Sequence, residues 1–169
     1  MRVRALVGLG GNLGDPAETM AAALRAIDAR SDCRVCAVSR LFRTPPWGNT
    51  DQPAFLNACA ALNTDLTPRA LLDLCLATER QFKRVRSERW GPRTLDLDVL
   101  DVDGEAYHDN TLTLPHPRLT ERGFVLVPLA DIAPDAVIAG ATVAAHLASI
   151  ARDGIEALGP ERDWWHERR

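Results

Sequence analysis

Residues 89–100 read RWGPRTLDLDVL. From Leu95 onward apolar and acidic residues alternate, and in a strand successive side chains point to opposite faces. Leu95, Leu97 and Val99 therefore share a face suited to a core, while Asp96 and Asp98 share the other, roughly 7 Å apart along the strand. Just upstream, Lys83, Arg84, Arg86, Arg89 and Arg93 are opposed only by Glu88. Arginine attracts anions and aspartate attracts cations. A site that places both side by side suits an anionic ligand that carries its own metal.

A solvated outer face would also explain an isolated D-x-D, but it gains nothing from the neighbouring cations. Guanidinium forks match phosphate oxygens and stay charged when partly desolvated. Paired carboxylates on a rigid strand suit Mg²⁺, which takes oxygen ligands and keeps waters or phosphates. Gly91-Pro92 makes a tight turn that returns Arg93 towards Arg89, and Trp90 either stacks on a base or covers the core. The combination reads as a nucleoside triphosphate site that works by alignment and charge stabilisation.

Working outward, residues 3–9 form an apolar, β-branched run that leads into GLGGNLGD at positions 8–15. This predicts a strand, a glycine-rich turn and a helix, with Asp15 as N-cap, Pro16 in the first turn and Glu18 at capping-box spacing. Met20, Leu24 and Ile27 recur on one helical face. G-x-G-x-x-G would need glycine where Leu13 stands, and no Walker lysine follows, so the turn is read as structural, at the edge of a site. Residues 35–43 and 55–63 predict two more strands, separated by TPPWGNTDQP. Thr67-Pro68 starts a second helix, whose packing face carries Leu71, Cys75 and Phe82. Residues 94–102 are the fourth strand, and Asp103-Gly104 predicts a hairpin into residues 105–108. The order β-α-β-β-α-β is that of an α/β sandwich with a ferredoxin-like core. C-terminal additions follow: a Pro-His-Pro loop, the apolar run 124–129 and a weak helix around 143–150. The last ten residues, PERDWWHERR, read either as a loosely held tail or as a short helix docked through Trp164 or Trp165.

The 169 residues, 46% hydrophobic and 25% charged, fit one globular domain spanning 1–169. The net charge of −3 offers no general field for nucleic acid. No run approaches the roughly 20 apolar residues of a membrane span, and MRVRALVGL lacks a signal peptide's cleavage-site design. A cytoplasmic protein is expected, and with no heptad or large apolar stripe, a monomer. Cys33 and Cys36 form a C-x-x-C without a second pair, so Cys33, Cys36, Cys59 and Cys75 read as reduced, mostly buried thiols. His116, with Arg118 and Arg122 following, is either a phosphate or ribose contact or a loop-packing residue. Glu79, near the end of the second helix, reads equally as an ATP contact or a solvated charge. An RNA-binding ferredoxin-like module would carry aromatics on its central strands and a basic face, whereas here the aromatics fall in loops and the face carries aspartates.

Four blocks, GLGGNLGD (8–15), SRLFRTPPWGNTDQPAFLNA (39–58), RVRSERWGPRTLDLDVL (84–100) and LPHPRLTERGFVLVPLADIAP (114–134), resemble the 6-hydroxymethyl-7,8-dihydropterin pyrophosphokinase family. The resemblance implies a ferredoxin-like fold, two Mg²⁺ ions and transfer of the pyrophosphoryl group of ATP to the pterin hydroxymethyl, releasing AMP, in folate biosynthesis. It implies Asp96 and Asp98 as metal ligands and Arg84 and Arg93 as phosphate contacts during transfer. Glu79, Arg86, Arg89, Trp90, His116 and Arg122 would serve ATP binding or loop closure. Thr44, Pro45, Trp47, Phe55, Asn57 and Phe124 match the pterin pocket, with Phe55 and Phe124 sandwiching the ring and Asn57 reading its amide edge. The loops 44–53 and 83–92 would act as lids. The chain departs from the family pattern at Gly11, where serine is usual, and at Lys83, often glycine.

Overall fold

The computed structural model describes residues 2–46, 51–82 and 94–167. Trp47, Lys83, Arg84, Arg86, Arg89, Trp90 and Arg93 lie outside these residues, as do residues 47–50 of the first expected lid and all of the second.

The first half follows the expected order: β1 (Val3–Gly11), α1 (Pro16–Asp28), β2 (Cys33–Val38), β3 (Phe42–Thr44), β4 (Phe55–Thr64), α2 (Pro68–Phe82) and β5 (Asp96–Val102). Both helices begin where their caps predict. Asp15 accepts from the Glu18 amide at 3.2 Å, and the Thr67 hydroxyl accepts from the Ala70 amide at 3.2 Å. Two short ladders follow, β6 (Tyr107–His108) with β7 (Thr113–Leu114) and β8 (Val137–Ile138) with β9 (Ala141–Thr142). Between them lies α3 (Gly123–Ile132), which absorbs the apolar run 124–129, and α4 (Val143–Ala148) and β10 (Glu156–Ala157) complete the chain.

The main sheet runs β10-β3-β4-β1-β5, with β2 also paired to β4, and every pairing is antiparallel. With β2 and β3 taken as two halves of one strand, the central order is β5-β1-β4-β2/β3, a ferredoxin-like sheet. Alternation along each strand gives the sheet two different faces. One packs Ala5, Val7, Leu9, Ala58, Ala60, Leu62, Leu97 and Val99 against α1 and α2. The opposite face carries Leu6, Cys59, Ala61 and Leu100 under α3 and α4.

Four expectations change. The strand foreseen over 35–43 is broken at residues 39–41: the Ser39 amide still donates to the Cys59 carbonyl of β4 at 2.9 Å, but the bonds that follow leave the backbone ladder. The Ser39 hydroxyl accepts from the Cys59 amide at 2.9 Å, and the Arg40 amide donates to Asp131 at 2.9 Å. The first half of the glycine-rich segment is strand: Gly8, Gly10 and Gly11 belong to β1, and of its glycines Gly14 alone has positive φ, at 67°. The Asp103-Gly104 turn forms with φ of 57° and 70°, but after the Val102–Glu105 bridge the chain leaves, and β6 pairs with β7 instead. As far as residue 167 the tail is docked through its tryptophans, one of the two readings, but it is not helical. Trp165 is buried in the first core and Trp164 donates its indole N–H to the Ser39 carbonyl at 2.8 Å.

Candidate active site

The second face is where α3 leaves part of the sheet uncovered. Gly10 of β1 registers with Asn57 of β4 on one side and Asp96 of β5 on the other; one step along, Gly8 lies between Cys59 and Asp98. Two strand spacings put Asn57 and Asp96 about 10 Å apart, with a glycine as the floor between them. A Cβ on Gly10 would lie 2.7 Å from Asn57 Nδ2. The glycine therefore makes room for the Asn57 amide, a role that motif reading of GLGG did not reveal.

Asp96 and Asp98 share this face, as alternation requires, while the adjoining Leu95, Leu97 and Val99 are buried in the core. By surface area Asp98 is exposed, yet protein surrounds its carboxyl as densely as a buried group. Both hold for a carboxylate in an open recess. This desolvation raises its pKa first, the Glu79 charge raises it further, and the Arg122 guanidinium opposes both.

Glu79 is not a solvated helix charge. It is buried, and its Oε2 accepts from the Leu97 amide at 2.8 Å. Among the described strands β5 lies at the edge of the sheet, so its outward N–H groups face no described strand, and Glu79 supplies an acceptor. The same carboxylate fixes the strand residue between the two aspartates and adds negative charge behind Asp98.

On the other side of the recess Arg122 precedes α3 and stands over the Phe124 ring, 5.5 Å from its centroid. Its charge reaches both Asp98 and His116. The His116 amide donates to the Leu100 carbonyl at 2.9 Å, which ties the Pro-His-Pro loop to β5. Burial lowers the His116 pKa, and the Arg122 and Arg118 charges lower it further. Glu79, Asp98, His116 and Arg122 are thus drawn together from four separate parts of the chain.

At the β3–β4 end, Thr44 is buried and its hydroxyl donates to Asn57 Oδ1 at 2.8 Å. That bond points the Asn57 amino group towards β1. Phe55 starts β4 beside Thr44, and Phe124 packs at the edge of the second core. Asn12, which sequence reading passed over, is buried and donates to Gln52 Oε1 and to the Pro53 carbonyl, each at 2.9 Å. It moors the end of the 44–53 loop to the end of β1. An asparagine directly after a strand glycine was the available signal.

The donor set fits Mg²⁺. Among the described residues no group of three or more His, Cys, Asp or Glu gathers as a closed metal cage. Two same-face carboxylates, with their charge crowded by Glu79, match a hard cation that completes its shell with water and phosphate oxygens.

The fold and this face define a ferredoxin-like α/β protein with a paired-carboxylate recess facing an amide-bearing, aromatic-edged pocket. A sequence model described as 7,8-dihydro-6-hydroxymethylpterin-pyrophosphokinase (HPPK) matches residues 6–134. The chain is 52% identical to the 2-amino-4-hydroxy-6-hydroxymethyldihydropteridine pyrophosphokinase of Methylorubrum extorquens, over 92% of this chain and 98% of the other. It is 45% identical to the Pseudomonas aeruginosa protein of the same name, over 92% and 96%. A Plasmodium falciparum HPPK-DHPS structure superposes with a TM-score of 0.73 at 12% identity, over 93% of this chain and 49% of the other. A second, the S436F/A437G/A613S triple mutant of that protein, gives 0.71 at 13% over 88% and 41%, so the chain spans less than half of those longer proteins. The chain belongs to the 7,8-dihydro-6-hydroxymethylpterin-pyrophosphokinase family.

Proposed function

We propose that the chain transfers the pyrophosphoryl group of ATP to the hydroxymethyl oxygen of 6-hydroxymethyl-7,8-dihydropterin, leaving AMP, as a step of folate biosynthesis. One observation carries the reading beyond family membership: the row Asn57–Gly10–Asp96 across three strands of one face. It supports a flat heterocycle read by Asn57 at one end and a metal-bound triphosphate held at the other, with Gly10, buried beneath the Asn57 amide, between them.

Asp96 and Asp98 would hold Mg²⁺, which would neutralise phosphate charge and help align the reacting groups. Two ions are expected from the family. Glu79 keeps β5 in place under both carboxylates. Arg122 and His116 stand on the phosphate side, beside Asp98. Arg84 and Arg93 bind the transferring phosphates, with Arg86, Arg89 and Trp90 gripping ATP; these five lie outside the described residues. Thr44 holds Asn57 so that its amino group and carbonyl present a fixed pattern to the pterin amide edge. Phe55 and Phe124 stack on the ring, and Pro45 and Trp47 wall the pocket. No described side chain is placed to act as a general base, so positioning and charge stabilisation carry the rate. The whole chain 1–169 works as one domain. No described helix is long and apolar enough to cross a membrane, and a monomeric cytoplasmic enzyme is the accompanying reading.

Product analysis with ATP, Mg²⁺ and 6-hydroxymethyl-7,8-dihydropterin tests this. Pterin-dependent AMP is expected. ADP in its place would make the protein an ordinary Mg-ATP kinase, and ATP binding without turnover would make it a binding protein.

A further inference from the structure

β3 is short, three residues long, yet it delivers Thr44 and Pro45 to the pocket. Its inner edge pairs with β4, and its outer edge is covered by the C-terminal segment, past the residues matched by the family model. In β10, Glu156 pairs with Arg43 and Ala157 with Phe42, and the Leu158 amide donates to the Leu41 carbonyl at 2.9 Å. Gly154 has φ of 79°, and a Cβ there would stand 2.8 Å from Pro45 Cγ, so this glycine seats directly on the proline. Trp164 then donates to the Ser39 carbonyl at the other end of the same run. Two anchors fix the segment to the rest of the fold. Arg162 binds the Asp131 carbonyl at 2.8 Å and its carboxylate at 3.0 Å, and Arg25 donates to the Trp165 carbonyl at 3.0 Å.

We propose that residues 154–165 are a positioning strap for the pterin half of the site: Gly154 seats Pro45, β10 holds β3 in register, and Trp164 fixes the Ser39 corner from which β3 departs. The inference rests on the proposed pterin-binding role of Thr44, Pro45 and Asn57. It predicts an asymmetry. β5 and α2, which carry Asp96, Asp98 and Glu79, lie at the opposite end of the sheet from β10. Disturbing the strap should therefore weaken pterin binding and leave nucleotide binding unchanged. A strap serving stability alone would affect neither ligand in a protein that remains folded, or both alike.

The experiment uses two variants of the full chain. Trp164→Phe keeps a ring in place and removes only the N–H donor; Gly154→Ala pushes a methyl group against Pro45 in a backbone conformation that alanine disfavours. Calorimetry would measure binding of a non-hydrolysable ATP analogue with Mg²⁺, then of the pterin to that complex, with steady-state kinetics alongside. The expected result for Trp164→Phe is a pterin Kd and KM raised about fivefold, the effect of one hydrogen bond. Gly154→Ala should raise both by at least as much, while kcat and the analogue Kd stay within about twofold. Unchanged pterin affinity in both folded variants, or equal losses for both ligands, would overturn the proposal. Failure of the unaltered protein to bind pterin would show first, and would remove the pterin reading itself along with the strap's role.

Discussion

The Thr44 hydroxyl donates to Asn57 Oδ1 at 2.8 Å, from the end of one strand to a diagonal neighbour on the next. With the hydroxyl as donor and Oδ1 as acceptor, the Nδ2 end of the amide turns towards Gly10. A buried threonine thus holds the polar group assigned to read the pterin edge. Thr44→Val keeps the shape and removes the donor. The expected outcome is pterin affinity reduced about fivefold, roughly 1 kcal/mol, with ATP-analogue affinity unchanged. Calorimetry on the folded variant decides it; unaltered pterin binding would deny Asn57 its reading role.

Gly10→Ala tests the floor of the same pocket. The new methyl group would collide with Asn57 Nδ2, itself held by Thr44, so the amide must move. A loss of about 1–3 kcal/mol in stability is expected from the overpacking, together with a pterin affinity lower than that of Thr44→Val. Denaturant titration and calorimetry would read the two effects separately.

Asp98 is held in a recess that disfavours its ionised form, through burial first and the Glu79 charge second. With its folded pKa raised, its stabilising contribution is present below the ordinary carboxylate value and is lost as pH rises through the folded value. Asp98→Asn should accordingly melt higher than the parent in metal-free buffer at pH 7, and the gap should close as pH is lowered. The same change should reduce AMP formation by at least about 10²–10³-fold. A variant active at ordinary Mg²⁺ would remove the metal assignment, and a stability gain that grows towards acid would overturn the raised Asp98 pKa.

Glu79 separates an acceptor from a charge. Glu79→Ala leaves the Leu97 amide without this acceptor and should cost about 1–3 kcal/mol in stability. Glu79→Gln keeps an oxygen for that amide while removing the charge behind Asp98. It should retain most of the stability and bring the Asp98 pKa down, visible by NMR titration of the carboxyl carbons. Equal destabilisation by both variants would show that the charge, not the hydrogen bond, anchors β5.

Asp131 links the corner after β2, the end of α3 and the C-terminal segment. Burial works to raise its carboxyl, but the Arg40 amide and guanidinium, with the Arg162 charge, more than reverse this and hold it below the usual range. For a depressed folded pKa, the stabilisation is present above the ordinary value and is lost as pH falls through the folded one. Asp131→Asn should cost about 2 kcal/mol at neutral pH. Urea titrations should show that difference shrinking below pH of about 3.8, the unperturbed value. A difference that persists in acid would point to packing alone.

Period-two alternation placed Leu95, Leu97 and Val99 inward and Asp96 and Asp98 together on the other face, because strand geometry leaves a short run no second choice. Asp15, Pro16 and Thr67 marked both helix starts, since the side-chain oxygen that caps a helix acts within three residues of chain. These local rules, with four motif blocks in order, made the ferredoxin-like core and the family legible before any coordinates. They did not reach the break at Ser39, whose cause lies in Cys59 and Asp131, 20 and 91 residues from their partners. Nor did they show that Gly10 is strand rather than turn or that Glu79 lies buried under β5, and docking of the tail through Trp164 or Trp165 was only one of two readings. Each of those depends on interstrand register or on a contact between distant segments. Composition and periodicity describe a residue's own neighbours along the chain, and only the packed fold sets Asn57, Gly10 and Asp96 in one row.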